Sequence, residues 1–213
     1  MTRPVDIAYQ FIKQKILDGT FQPAQKLNEI DLSSSIGVSR NTVKKALFKL
    51  QQEQLVEIKD NIGANVKSYT LDEVINYFEI REVLEGLVAS RATANMTELQ
   101  LEEMSETLKK MEDHLQNNRY DEYSKLNKVF HGIIYEASQN KQAVDMIKVI
   151  KTQLSRYQIR TLLVPGRNQN SFHEHKNILA ALKSRDEESV KKEIMKHISN
   201  IRNTIRENSS FLL

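Results

Sequence analysis

Helix-breaking residues are nearly missing from this sequence: 213 residues hold three prolines, at Pro4, Pro23 and Pro165, and six glycines. The backbone is left few places to turn sharply. The Leu, Ile, Lys, Glu and Gln that fill the intervals are good helix formers. Long helices with short connections are therefore expected. An alternating strand–helix fold needs more turn residues and more Val-rich runs. A hydrophobic content of 39% is enough for a real core, and the charges, 28% of residues, are too balanced for general disorder. The length allows one large domain or two small ones.

Several chemistries have no support. Cysteine is absent, which removes disulfides, thiolate metal sites and Cys nucleophiles. No GxGxxG, P-loop or GxSxG stretch occurs, so the usual nucleotide-binding and hydrolase readings have nothing to stand on. No apolar run approaches the ~18 residues that span a membrane. The start, MTRPVDIAYQFIKQKIL, lacks the h-region and cleavage site of a signal peptide. A soluble cytoplasmic protein with no membrane partner is expected.

Charge is unevenly placed. Residues 1–68 carry ten Lys or Arg against seven Asp or Glu, whereas residues 69–213 carry 21 of each, so the whole +3 lies in the first third. There, residues 5–17 place Ile7, Ala8, Phe11, Ile12, Lys15 and Ile16 at helical spacing, and Gly19 follows as a left-handed stop. A short helix is expected from about Asn28 to Ser35, a tight turn at Gly37, and a second helix capped by Ser39. Val43, Ala46, Leu47 and Leu50 form its inner stripe, and Ile36 and Val38 are expected to be buried beside the turn. Its outer face presents Arg40, Asn41, Thr42, Lys44, Lys45 and Lys49, donor-rich residues suited to base edges and phosphates. LVEIK and ANVKS then flank DNIG, with Gly63 permitting the turn of a small β-hairpin. Three helices and a hairpin make a winged helix-turn-helix. The alternative is a helical hairpin with a basic solvated face.

The stretch KLNEIDLSSSIGVSRNTVKKALFKLQQEQLVEIKDNIGANV resembles the DNA-binding domain of GntR-type bacterial regulators. By that resemblance, Arg40 contacts a base or phosphate, Lys44 and Lys45 lie in or beside the major groove, and Gly63 marks the wing tip. The family usually has arginine and glutamate where Lys44 and Lys45 stand, proline at Thr42, and often arginine at Ile62. Lysine cannot fork onto a guanine as arginine does, so Lys44 is expected to supply more phosphate attraction than base reading.

From Thr70 onward the pattern predicts an all-helical antiparallel bundle, with helices at about 71–94, 97–117, 119–139, 141–163, 171–183 and 187–208. Acids follow Thr70, Thr97 and Asp186, where a positive helix end favours them. The domain reading is 1–68 for DNA binding and 69–213 for effector binding and dimerisation, with a hinge near residues 67–71.

Histidine placement carries the chemistry here. Asn127 and His131 are four apart in LNKVFHGII and share a helix face. His175 in FHEHKNILAAL and His197 in EIMKHISNI each sit amid apolar helical residues. Such a set can close around a metal in a bundle core, and imidazoles suit Zn, Ni, Fe or Mn. Histidines hydrogen-bonded in a core give the same pattern. His173 falls on the opposite face from His175, and His114 reads as surface. NKVFH, EHKNIL and MKHI together resemble the FCD ligand-binding domain of the FadR branch of GntR regulators. That resemblance implies metal ligation by Asn127, His131, His175 and His197, with Asn127 where aspartate is commoner.

Arg81 lies on an apolar stripe with Tyr77, Leu84 and Val88, and a buried guanidinium needs a partner. Glu85 at i+4 is one candidate. The other is the carboxylate of an acidic effector near the metal, which the resemblance favours because many of its members sense small organic acids. Arg156 and Arg160 could act similarly or lie on a solvated face. The expected function is a ligand-responsive transcriptional regulator rather than an enzyme, acting as a repressor. It would bind a pseudo-palindromic DNA operator as a homodimer and sense a small carboxylate at a metal-containing pocket. A metal-free regulator of an acyl or apolar ligand is the main competitor. A helical metalloenzyme is less supported, since no Glu-x-x-His or HExxH occurs.

Overall fold

A computed structural model describes residues 2–59 and 62–212, without the side chains of residues 156, 158, 159, 162, 211 and 212. The fold is mainly α. The chain divides into two units, residues 1–70 with 151–156, and residues 71–150 with 157–213.

In the first unit, α1 (Pro4–Leu17) starts with Pro4 in its first turn, where the missing N–H costs nothing. It buries Ala8, Ile12 and Ile16, one side chain per turn. Helix α2 (Glu29–Ile36) is capped by the Asn28 side chain, which accepts from the Ile30 N–H, and it ends at Gly37 with φ of 75°. Helix α3 (Arg40–Gln52) follows, with Ser39 accepting from the Thr42 N–H at 3.2 Å. Its inner stripe of Val43, Ala46, Leu47 and Leu50 is at most 1% exposed, each larger side chain contributing roughly 1.5–3 kcal/mol of burial. Ile36 and Val38 are half-buried against this core rather than fully enclosed, because the turn that carries them runs along the surface.

The hairpin consists of β2 (Val56–Lys59) and β3 (Gly63–Val66), antiparallel, with Val56 opposite Val66 and Ile58 opposite Ala64. Asp60 and Asn61, part of the DNIG turn expected from the sequence, lie outside the described residues. A two-residue strand, β1 (Lys26–Leu27), adds to the free edge of β3 and gives the order β1-β3-β2. A strand that short carries no periodicity and so leaves no trace in the sequence; Leu27 anchors it in the core at 4% exposure.

The second unit is all-helical: α4 (Leu71–Asn95), α5 (Glu98–Gln116), α6 (Tyr120–Ala137), α7 (Lys141–Arg160, apart from residues 151–156, which fall in the first unit), α8 (Arg167–Lys183), α9 (Glu187–Glu207) and a final turn α10 (Ser209–Leu212). Thr97 and Gln100 form a capping box on α5, and Asp186 caps α9 through the Ser189 N–H. Helix α4 packs on α9 and α6, α5 on α6 and α8, and α8 on α9. Phe130, Met104, Met111, Ile178, Leu182 and Ile194 fill the shared core. Two boundaries differ from expectation. Residues 161–163 are a 3-10 turn closing α7, and α8 begins four residues early, at Arg167. Gly166, at φ of 77°, precedes α8 and offers no side-chain cap, so the usual start signal is missing.

Candidate metal centre and nucleic-acid face

Three helices bring three histidines together. His131 on α6, His175 on α8 and His197 on α9 are each at most 2% exposed. One nitrogen from each lies within 4.8 Å of the others. The Nε2 atoms of His131 and His175 are 3.2 Å apart, and the His175 and His197 ring centres are 4.7 Å apart.

Their partners fix which nitrogens face inward. Nδ1 of His175 is 2.5 Å from the Ser171 carbonyl, which can only accept, so Nδ1 carries the proton. Nδ1 of His197 donates to Glu174 Oε2 at 2.6 Å. Both rings therefore keep Nε2 as a lone pair. Burial pushes the His175 imidazole down to about 3, with the neighbouring His197 adding to the effect, and burial also lowers His197. Both are neutral near pH 7, the form that ligates metal.

The set fits a divalent transition metal. Two metal–nitrogen bonds of about 2.0–2.1 Å separate the nitrogens by about 2.8–3.0 Å at octahedral and about 3.3–3.4 Å at tetrahedral angles, and the 3.2 Å between His131 and His175 lies between these values. One turn before His131, Asn127 buries its Oδ1 with no hydrogen-bond partner among the described residues. A carbonyl oxygen so placed is a serviceable fourth donor. His173 is exposed, as its position opposite His175 implies; His114 is half-buried rather than surface, its side chain 21% exposed.

Sequence reasoning missed the support behind His197. The Glu174 carboxylate receives Arg167 in a two-pronged contact of 3.0 and 3.2 Å, and the Asn200 amide at 2.8 Å. Burial alone raises the Glu174 carboxyl, but His197, Arg167 and Asn200 together hold it below the usual range. Such outer carboxylates orient ligating histidines and raise their basicity. Arg167 and Glu174 are seven residues apart, two turns of one helix face, a signal available only once α8 is started at Arg167.

Arg81 is fully buried, and its Nε donates to Glu85 Oε1 at 2.8 Å, so the intrahelical partner weighed from the sequence is present. Tyr135 donates to the same carboxylate at 2.8 Å, and the Arg81 guanidinium lies 5.7 Å from the Phe78 ring centre. Tyr135 follows His131 by one turn, ring centres 6.2 Å apart, so this cluster adjoins the histidines. Arg160 is half-buried; the Arg156 side chain lies outside the described residues.

On α3 the outward residues separate into two groups. Arg40, Asn41, Lys44 and Lys45 are exposed, with Arg40 3.8 Å from Glu29. Ser39 and Thr42 are engaged with each other in the cap, their hydroxyls 2.8 Å apart. Lys49 is half-buried and pairs with Asp6 of α1 at 2.9 Å. Gly63, at φ of 104°, opens β3 directly after an exposed Ile62. Among the described residues no helix is long and apolar enough to cross a membrane.

Comparison with known proteins agrees with both halves. Residues 4–66 match the family model of bacterial regulatory proteins of the gntR family, and residues 76–200 match that of the FCD domain. The HTH-type transcriptional repressor RspR of Escherichia coli (strain K12) is 25% identical, over 97% of this chain and 91% of its own. The uncharacterized HTH-type transcriptional regulator YdhC of Bacillus subtilis (strain 168) is 26% identical, over 90% of this chain and 86% of its own. The solved structure of E. coli McbR/YncC superimposes with a TM-score of 0.78 at 20% identity, covering 97% of this chain and 99% of that one, which bears on fold alone. The two sequence relatives are described as HTH-type transcriptional regulators. The chain belongs to the GntR family of bacterial regulatory proteins, with an FCD domain following its winged helix-turn-helix.

Proposed function

We propose that this regulator is a repressor that binds a pseudo-palindromic operator as a homodimer and releases it on sensing a small organic acid at a metal-containing pocket. It acts in the cytoplasm, where the DNA is. In this reading residues 1–68 bind DNA and residues 69–213 bind effector and dimerise. The observation that carries it is the convergence of three buried imidazoles from α6, α8 and α9 inside an FCD domain.

Asn127, His131, His175 and His197 are the metal ligands. A Zn, Ni, Fe or Mn ion there supplies a fixed positive charge and open positions for a carboxylate. Arg81 is the second cation of the site, for which an acid competes with Glu85. Ser39, Arg40, Asn41, Thr42, Lys44, Lys45 and Gly63 make the DNA-binding set, with the exposed Arg40, Asn41, Lys44 and Lys45 nearest the groove, while Lys49, expected among them from the sequence, is held by Asp6. One short helix reads too few bases for useful specificity, which favours two copies on a palindrome. A face for the second copy is supplied by Ile80, Val83 and Leu87 of α4, which are 52%, 64% and 45% exposed at i, i+3 and i+7. The word repressor in the RspR description supports the sign of regulation.

The experiment is selection of bound fragments from the source genome at near-physiological salt, with metal analysis of protein purified without chelator. Enrichment of one inverted repeat together with stoichiometric metal supports the proposal. Enrichment without metal favours the acyl or apolar-ligand regulator. No enrichment under any condition sinks operator binding by this chain.

A further inference from the structure

We infer that Phe48 is a base-reading residue of the recognition helix, packing its ring on the C5-methyl group of a thymine in the major groove. This rests on the proposed docking of α3 in DNA and specifies what the helix reads there.

Phe48 is 56% exposed on α3. Exposing a phenyl ring forgoes part of the free energy of its burial, and among the described residues no ring or cation contact covers it. Its direction is set by the helix. At about 100° per residue, with Arg40 at 0°, Lys44 falls at about 40°, Phe48 at about 80°, Asn41 at about 100° and Lys45 at about 140°. The buried stripe of Val43, Ala46, Leu47 and Leu50 centres near 290°, almost opposite. Phe48 is thus the middle of the polar face, with Lys44 and Lys45 one turn before it on either side. Along the axis it lies about 12 Å from Arg40, close to the width of the major groove.

An apolar ring flanked by lysines meets one kind of apolar surface in that groove. Guanine, cytosine and adenine present only hydrogen-bonding edges there, and thymine alone adds a methyl group. The lysines take the phosphates on either side, which positions the ring without carrying sequence.

The test uses the full-length protein and the operator obtained by genomic selection. Each thymine of one half-site is replaced in turn by deoxyuridine, which removes the methyl and leaves base pairing and hydrogen-bonding edges intact. Wild-type protein is expected to lose about 3–10-fold in affinity at one position per half-site. Phe48→Ala is expected to lose the same factor on the thymine operator and to be indifferent to uracil at that position. Uracil tolerated at every thymine by the wild type overturns the assignment, and this arm needs no variant to fold. An equal uracil penalty in Phe48→Ala also overturns it. If the protein binds no DNA at all, the docking of α3 fails first and this contact goes with it.

Discussion

Glu174 and His197 are joined by a 2.6 Å hydrogen bond in which the imidazole Nδ1–H donates to a carboxylate already held by Arg167. The bond fixes the tautomer that aims Nε2 of His197 toward His131 and His175, and it does so from a residue that itself touches no candidate metal. Replacing Glu174 with Gln keeps the volume and removes the charge. The expected result is a roughly 10–100-fold loss in zinc affinity, measured by competition with a chromophoric chelator. Unchanged affinity would mean that His197 is oriented by packing alone.

Arg81 and Glu85 are 0% and 1% exposed. Arg81→Met leaves the Glu85 charge buried without its ion-pair partner, and the expected cost is roughly 3–5 kcal/mol. Arg81→Met with Glu85→Leu removes both charges and should recover most of that loss. Urea unfolding of the two variants decides the matter. If the single and double variants were equally destabilised, the pair would not be what stabilises this part of α4.

The lysines of α3 should differ in their salt dependence. Lys44 is exposed, whereas Lys49 is paired with Asp6. Lys44→Ala is expected to reduce the slope of log affinity against log salt by about 1, and Lys49→Ala to leave it nearly unchanged. Arg40→Ala should weaken operator binding by about 5–100-fold while metal content stays intact. Fluorescence anisotropy from low to physiological salt separates the three, and equal slopes for the two lysine variants would place Lys49 on a phosphate after all.

Burial pushes the Tyr123 phenol up to about 12, and burial together with the Glu85 charge holds Tyr135 well above its ordinary value. A folded pKa raised above the unfolded one stabilises the fold fully below pH 10, and that contribution is lost as pH rises from 10 to about 12. Ultraviolet titration of the seven tyrosines at pH 11 should therefore leave Tyr123 and Tyr135 protonated while helical circular dichroism persists. Ionisation of all seven in a still-helical protein would contradict their burial.

Much of this was legible in the sequence because the signals are local. Ser39 as cap, Gly37 as left-handed turn and the stripe Val43–Ala46–Leu47–Leu50 are each decided by spacing within one or two turns, and each stands in the structure as its spacing implied. The meeting of the histidines was expected from helical context and resemblance; the support behind them was not. Glu174 immediately precedes His175 but turns to His197 on the next helix, and Arg167 fell outside α8 as predicted because Gly166 gives no capping side chain. The third strand escaped because two residues carry no period. The direction of Phe48 could have been read from a helical wheel, but exposure of a phenyl ring becomes evident only when nothing is found to cover it.

Ile80 and Arg81 are consecutive on α4, one half out in solvent and the other wholly enclosed. A helix is a stiff rod whose two faces turn together. A rotation of α4 about its axis that moves Arg81 inside must swing Ile80 outside by the same angle, with no intervening chain of side chains to dissipate it. A turn of α4 in the interior is thereby registered on its aliphatic exterior in a single mechanical step.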